Sequence, residues 1–417
     1  MTLITENNLK QEVLSSNIRI LAFILCLISY AFGGTVSTLM SVYLPVAIPE
    51  LLDEKISEAR LGEEGAYISA ISLYGWMIGG ILFGVVSDKI GRKKVLVLVT
   101  GLYGLATLLT VFVTNWYILL ACRFFTGMGV GGVLLVTTVY ISEIWIEKTR
   151  PVFVGILAIA FPLGIVASGG LSKLFSEWHN AFWIGLIPAA IAILIAVLLP
   201  ESPKWQNLKN VEQTSSGSLF DNSYRPNLIK GSIIFGAVLI GLWGIFSWLP
   251  TWVQTLLPAG QTGQNERGNT MMLLGLGGIA GGILSGFLIQ TLGNRKTLML
   301  TFISLIVASC LLFLTNKTFT PVIYVETALL TLCFGISQGS LSSYIPELFP
   351  TIIRATATGF CFNVGRFFTA TAVFFVGALV TVFGGFGNAL LAFSSTFIVA
   401  FIMACFSKEK EANLINS

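Results

Sequence analysis

Three ionisable residues lie inside long apolar stretches of the chain, namely Arg123, Glu326 and Arg366. An ionisable group near the centre of a bilayer costs at least ~2.5–3.5 kcal/mol, so such residues are expected to act on a solute or on protons. A guanidinium has planar donors that suit an anionic or oxygen-rich solute, and a carboxylate can take up and release a proton. We therefore predict that Arg123 and Arg366 bind an organic anion and that Glu326 couples proton movement.

Each of these three residues also has a structural alternative. Arg123 and Glu326 could extend to the external lipid headgroups, since both lie only a few residues inside their apolar stretches. Arg366 lies deeper and could instead bind backbone carbonyls within its own half of the protein.

Aromatic and neutral polar residues in the same stretches are further candidates for solute binding. The aromatic rings could cover a planar solute, and the amides could donate hydrogen bonds to it. The candidates are Tyr30, Trp243, Trp248, Gln338 and Asn363. The alternatives are that the tryptophans anchor helix ends at the membrane interface and that the amides join neighbouring helices.

The composition requires that these residues are held by membrane-spanning helices. Apolar residues make up 55% of the 417 residues and charged residues only 11%, and the mean hydropathy is +0.85. Apolar stretches of roughly 20 residues, the length that crosses a hydrocarbon core, recur along the chain. They predict twelve spans, at about 20–44, 67–87, 95–114, 117–141, 152–173, 181–199, 231–257, 270–290, 297–315, 320–345, 356–382 and 386–406.

The second half of the chain repeats the first. GGILFGVVSDKIGRKK at 79–94 resembles GGILSGFLIQTLGNRK at 281–296, and the segments 140–155 and 344–359 match at nearly the same offset. This repeat predicts two pseudo-symmetric six-helix bundles, 1–205 and 229–417, with a polar cytoplasmic linker at 206–228. Duplicated bundles with a site between them are the architecture of secondary transporters.

The distribution of basic residues predicts the orientation of the chain. Most of the 24 lysines and arginines fall in loops on one side of the predicted spans, which by the positive-inside rule is the cytoplasmic side. Both termini are on this side, in what we expect to be a bacterial inner membrane. The net charge of +4 thus reflects topology and gives no indication of nucleic-acid binding.

The turn after the second span contains a further pattern. Gly84 would allow two helices to approach closely, Asp88 would end the helix, Gly91 would form the turn, and Arg92 begins a basic run. This pattern resembles the signature loop of the major facilitator superfamily. The second copy has Gln290 where the first has Asp88, so a charge-based gate would depend on the first half.

Two glutamate–arginine pairs at the cytoplasmic ends of spans four and ten extend the resemblance, Glu143 with Arg150 and Glu347 with Arg354. Seven residues are about two helical turns, so each pair could face one side or bridge to a neighbouring helix. Such pairs, and a segment resembling Pro-Glu-Ser-Pro-Lys-Trp at 200–205, are found in sugar porters and organic-ion carriers. The resemblance implies a cytoplasmic salt-bridge network, including Asp88 and Arg92, that forms when the inside is closed.

The predicted seventh and eleventh spans favour a narrower branch. Trp-Leu-Pro-Thr at 248–251 and the Gly365-Arg366 pair resemble metabolite or aromatic-acid proton symporters, whereas the carboxylates of their first span are replaced by Gly-Gly-Thr-Val at 33–36. In the superfamily, spans one, four, seven and ten line the cavity, so the resemblance implies that Arg123 and Glu326 lie on facing helices. It also implies a monomeric carrier of a small organic anion, such as an aromatic or sugar acid, with proton symport.

Three alternatives to this function remain open: a neutral sugar transporter, a uniporter, and a receptor that binds a solute without moving it. The spans show no metal-ligand spacing, nucleotide-binding loop or catalytic constellation, so we expect neither an enzyme nor a cofactor.

Overall fold

The computed structural model describes residues 14–53, 56–208, 221–350 and 353–406, and all its regular elements are helices. The helices of the first half are α1 (Ser16–Leu52), α2 (Glu58–Ile90), α3 (Arg92–Leu109), α4 (Trp116–Ile144), α5 (Arg150–Leu174), α6 (Trp178–Ala181), α7 (Leu186–Leu198) and α8 (Pro203–Leu208). Those of the second half are α9 (Arg225–Thr255), α10 (Gln264–Leu292), α11 (Asn294–Thr315), α12 (Val322–Glu347), α13 (Arg354–Phe374), α14 (Val376–Phe383), α15 (Phe386–Ser394) and α16 (Thr396–Cys405).

The predicted all-α membrane fold is confirmed. In the described residues, 11 helical segments are long and apolar enough to cross a membrane, and α13 with α14 brings the total to 12 if this bent pair counts as one span. The predicted span at 356–382 is present as this bent pair, whose axis changes direction by 47° between α13 and α14. Several helices extend beyond their apolar stretches, since their polar ends can reach the headgroups and water.

The predicted linker at 206–228 is partly helical. Residues 206–208 belong to α8 and residues 225–228 to α9, whereas residues 209–220 lie outside the described part of the chain. A tight turn precedes α9, in which the backbone nitrogen and hydroxyl of Ser223 both donate to Oδ1 of Asp221 at 3.0 Å. These hydrogen bonds hold the pKa of the Asp221 carboxyl below its usual range.

Glycines allow close backbone contact between helices of the first half. A Cβ atom at Gly164 in α5 would overlap the carbonyl of Ala31 in α1, and one at Gly79 in α2 would overlap the carbonyl of Met128 in α4. Lipid provides no hydrophobic force between apolar helices, so such packing is a main source of their association. At Gly84 of α2, a Cβ atom would lie 2.8 Å from Cδ2 of Leu135 in α4, so this glycine accommodates a side chain of the neighbouring helix.

The two ends of the bundle differ in how the halves meet. We call the end with the turns at Gly91 and Gly293 the basic end, and the end with the α1–α2 and α9–α10 turns the opposite end. At the opposite end, Gly65 of α2 packs directly against the Trp248 ring of α9. Nζ of Lys173 also donates to Oδ1 of Asn269 at 2.9 Å, so the halves are joined there.

At the basic end, the ion pairs and hydrogen bonds described below each remain within one half. A Cβ atom added at Gly155 of α5 or at Gly359 of α13 would meet no atom within 4 Å. Residues deeper in the seam do join the halves, as the hydroxyls of Tyr74 and Thr371 lie 2.8 Å apart. The contacts between the halves thus hold the middle and the opposite end together.

Two glycines of α5 provide a matched test of this packing. Gly164→Ala should lower the melting temperature of the purified protein in detergent, because the new methyl group overlaps the Ala31 carbonyl and overpacking typically costs about 1–3 kcal/mol. Gly170→Ala is the control, since a Cβ atom there would have nothing within 4 Å. Equal melting temperatures for the two variants would show that the α1–α5 contact does not limit stability.

Candidate functional site

A cluster of one arginine and several aromatic residues lies where the two halves meet. Cζ of Arg366 in α13 is 6.0 Å from the ring centroid of Trp76 in α2, and Tyr30 of α1 is close enough to interact electrostatically with the guanidinium. The Trp76 ring is 5.2 Å from that of Trp243 in α9. We call Arg366, Asn363, Tyr30, Trp76 and Trp243 the central cluster.

The charge of Arg366 has no carboxylate partner among the described residues. Its one hydrogen bond runs from Nη1 to Oδ1 of Asn363, at 3.5 Å, which is long for such a bond. The guanidinium therefore retains donors for a carboxylate or another oxygen group. With indole and phenol rings beside it, the cluster can bind a planar organic anion at both its charged and its apolar parts.

Arg123 is bound entirely within the first half. Nη2 donates to Oγ1 of Thr110 at 2.7 Å, Nη1 donates to the carbonyl of Val36 at 3.5 Å, and Cζ lies 5.0 Å from the Phe182 ring centroid. The residue is only 2% exposed. The alternative that it extends to the headgroups was therefore wrong, whereas its role in solute binding remains a prediction.

Glu326 lies near the start of α12, beside α11. Its Oε2 accepts a hydrogen bond of 2.5 Å from Nδ2 of Asn316, and the flanking Val325 and Leu329 side chains point outward at 62% and 54% exposure. The structure thus pairs Glu326 with an amide of its own half rather than with Arg123. Its role in proton coupling remains a prediction.

Two other candidates lie in different surroundings. The Trp248 side chain is fully buried and stacks on Phe386 at 5.3 Å between ring centroids, so in this conformation it belongs to the closure at the opposite end. Nε2 of Gln338 is buried without a hydrogen-bond partner in the described part of the chain. The Gln338 amide can therefore donate to a bound solute or to a helix that approaches it in another conformation.

Arg92 organises the basic end of the first half. Its Nη1 lies 2.5 Å from Oδ1 of Asp88, and its Nε lies 3.1 Å from Oε1 of Glu143. Gly91, between the two helices, has φ +113°, a conformation that L side chains rarely adopt. The predicted turn at Gly91 is confirmed, and three of the predicted gate residues are in contact.

Residues 200–205 hold the turn at Gly91 in place through two hydrogen bonds. Oε1 of Glu201 accepts a hydrogen bond of 2.9 Å from the backbone nitrogen of Lys93, so a carboxylate caps the positive end of α3. Nε1 of Trp205 donates to the carbonyl of Asp88 at 2.8 Å. Residues 200–205 are therefore part of the first half. They connect α2 and α3 to the chain that follows α7.

The seven-residue spacing of the glutamate–arginine pairs does not place them on one helix. Glu143 is in α4, whereas Arg150 begins α5 and pairs with Glu147 at 3.5 Å. In the second half, Oε2 of Glu347 accepts from Nδ2 of Asn294 at 2.9 Å, while Nε of Arg354 donates to the Phe349 carbonyl at 3.2 Å. That the two basic-end clusters join in another conformation remains a prediction.

Trp76 and Phe161 were not among the residues predicted from the sequence to bind a solute. The Phe161 ring lies 5.5 Å from that of Trp76 and 6.3 Å from that of Tyr30, so it supports the aromatic side of the cluster. Trp76 could have been found from its position in the middle of a span, where an interface anchor is not expected. Phe161 has no such signal, because phenylalanine is common in lipid-facing positions.

Two repeated halves that enclose a polar and aromatic cluster define a secondary transporter. The chain belongs to the Major Facilitator Superfamily, whose family model matches residues 22–373. It is therefore a membrane-embedded transporter of a small molecule and not an enzyme.

Several bacterial transporters are similar to this chain over most of its length. The "Probable 4-methylmuconolactone transporter" of Cupriavidus pinatubonensis is 29% identical over 82% of this chain and 80% of that protein. The sialic acid transporter NanX of Escherichia coli is 28% identical over 72% and 74%. The cis,cis-muconate transport protein of Acinetobacter baylyi is 27% identical over 84% and 86%.

Solved structures show the same fold. The crystal structure of a D-xylose-proton symporter superimposes with a TM-score of 0.77 at 16% identity, covering 94% of this chain and 99% of that one. The partially occluded inward-open form of the xylose transporter XylE from E. coli gives a TM-score of 0.77 at 15% identity, covering 95% and 99%.

The Arg92 cluster gives a testable difference between two nearby glutamates. Glu143→Ala should destabilise the protein by about 1.5–3 kcal/mol, because it removes a charged hydrogen bond to an arginine whose side chain is only 11% exposed. Glu147→Ala is the control and should change stability by less than about 1 kcal/mol, since the Glu147 side chain is 76% exposed. Thermal unfolding in detergent measures both, and equal losses would contradict a structural role for the Glu143–Arg92 pair.

Proposed function

We propose that this transporter moves a small organic anion, an aromatic or sugar acid, across a bacterial inner membrane. The observation that carries the proposal is Arg366, a charged residue in the seam between the halves with no carboxylate partner in the described chain. Burying such a charge is costly unless an anion compensates it. Similar transporters are named for substrates of this class, among them muconate and sialic acid.

In this proposal the basic end faces the cytoplasm, as the distribution of lysines and arginines requires. The conformation described has the opposite end closed, so the central cluster would exchange solute with the cytoplasm. Rocking of the halves would open the opposite end and bring the Arg92 cluster of the first half against the Glu347 and Arg354 region of the second. The transporter acts as a monomer, because each chain contains both halves.

Proton coupling through Glu326 is the second part of the proposal. Among the spans, Glu326 is a half-buried carboxylate whose described partner is a neutral amide rather than a cation. Such a group can be protonated without leaving an unpaired positive charge behind. Protonation would weaken its hold on Asn316 at the start of α12, the helix that carries Gln338.

Arg366→Lys tests anion recognition. The variant keeps the charge but loses the planar pair of donors, so the affinity for the transported anion should fall about 10- to 150-fold, as expected for losing one charged hydrogen bond of roughly 1.5–3 kcal/mol. Titration calorimetry on the purified chain, with an acid first identified by a thermal-shift screen, measures this. Arg295→Lys is the control, since Arg295 instead donates to the Cys405 carbonyl. Unaltered affinity in Arg366→Lys would make Arg366 a structural residue.

Glu326→Gln tests proton coupling. The variant should still exchange solute across proteoliposomes but should lose accumulation driven by a pH gradient, because exchange needs no net proton movement. Glu177→Gln is the control, because Glu177 is an exposed carboxylate just before α6 that accepts a hydrogen bond from Asn180. Full pH-driven accumulation in Glu326→Gln would assign proton coupling to another group. Absence of pH-driven accumulation in the unaltered protein would indicate a uniporter, and binding without any counterflow would indicate a receptor.

A further inference from the structure

A small polar cavity lies between the halves, next to the central cluster. Its volume is about 30 Å³, and one water needs about 10–15 Å³, so it holds no more than a few waters in this conformation. Its polar walls are five serines and one arginine: Ser37, Ser41, Ser69, Ser72, Ser247 and Arg123. Serines are common where membrane helices pack closely, but here their side chains surround a space large enough for polar atoms.

Arg123 brings a positive charge to the wall of this cavity. Its hydrogen bonds to Val36 and Thr110 engage two of the five N–H donors of a guanidinium. A buried charge without an anion costs free energy. An oxygen-bearing group in the cavity would compensate this charge and could accept hydrogen bonds from the serine hydroxyls.

Trp76 and Trp243 belong to both the cavity and the central cluster. Both rings line the cavity, and the Trp76 ring also lies beside the Arg366 guanidinium. The two polar sites are thus separated by little more than aromatic rings. A single planar solute could therefore contact Arg366 at one end and the cavity at the other.

We propose that the transported anion carries an oxygen-bearing group at each end, as a dicarboxylic or hydroxylated acid does. Arg366 binds one carboxylate, the aromatic rings cover the body of the solute, and the serine-lined cavity with Arg123 receives the second group. The cavity walls come from α1, α2 and α4 of the first half and from α9 of the second, so movement of the halves enlarges it. This inference rests on the proposed transport of organic anions.

Matched acids on the purified full chain test the inference. Dissociation constants are measured by titration calorimetry for benzoate, 4-hydroxybenzoate and terephthalate, and for hexanoate and adipate. 4-Hydroxybenzoate and terephthalate should bind more tightly than benzoate, and adipate should bind more tightly than hexanoate. The hydroxyl and carboxylate members of the aromatic series show which group the cavity prefers.

Serine variants connect this preference to the cavity. Ser72→Ala and Ser247→Ala, one from each half, should each weaken binding of the preferred two-ended acid about two- to tenfold, as expected for one neutral hydrogen bond. Binding of the matching monocarboxylate should not change. Ser309→Ala is the control, because Ser309 is a fully buried serine of α11 that does not line the cavity.

Three results would overturn the inference. Equal affinities within the matched acids, or serine variants that weaken both members alike, would reject the second subsite while leaving anion transport intact if Arg366→Lys still loses affinity. Failure of every acid to bind would reject both the subsite and the proposed anion transport.

Discussion

Close contact between helix backbones is the constraint on which this structure depends. In lipid, one apolar helix gains nothing from burying its surface against another, so association relies on tight packing and on polar contacts. Glycines at Gly79 and Gly164 provide that packing within the first half. The same device joins the halves at the opposite end, where Gly65 accommodates the Trp248 ring.

The two arginines inside the bundle, Arg123 and Arg366, have different surroundings. Arg123 donates to two acceptors of its own half, the Val36 carbonyl and the Thr110 hydroxyl, and its guanidinium also lies beside the Phe182 ring. Arg366 has a distant amide oxygen and aromatic faces, which compensate a charge only in part. This difference makes Arg366 the stronger candidate for contact with a solute, because a mobile anion could supply what the protein does not.

The basic end shows how a repeated sequence yields two unequal clusters. In the first half, Arg92 bridges two carboxylates, and Glu201 caps the next helix. In the second half, the residue corresponding to Arg92 is Asn294, whose uncharged amide donates to the Glu347 carboxylate. The repeat preserves the position of the contact but not its charge. Electrostatic attraction at this end is therefore concentrated in the first half, and contacts of Glu347 and Arg354 across the seam remain a prediction.

The sequence alone determined the membrane class and the turn at Gly91, because apolar length and glycine conformation are local properties. It also showed the repeated halves, because the two copies can be compared directly along the chain. It also singled out Arg366, since a deep charge is rare enough to stand out, whereas solute binding by Arg366 and Asn363 remains a prediction. Only the tertiary structure decided which groups meet. It paired Glu143 with Arg92 instead of Arg150, bent the eleventh span between α13 and α14, and placed Trp76 and a serine-lined cavity beside Arg366. These features depend on contacts between residues far apart in the chain, which neither spacing nor hydropathy records.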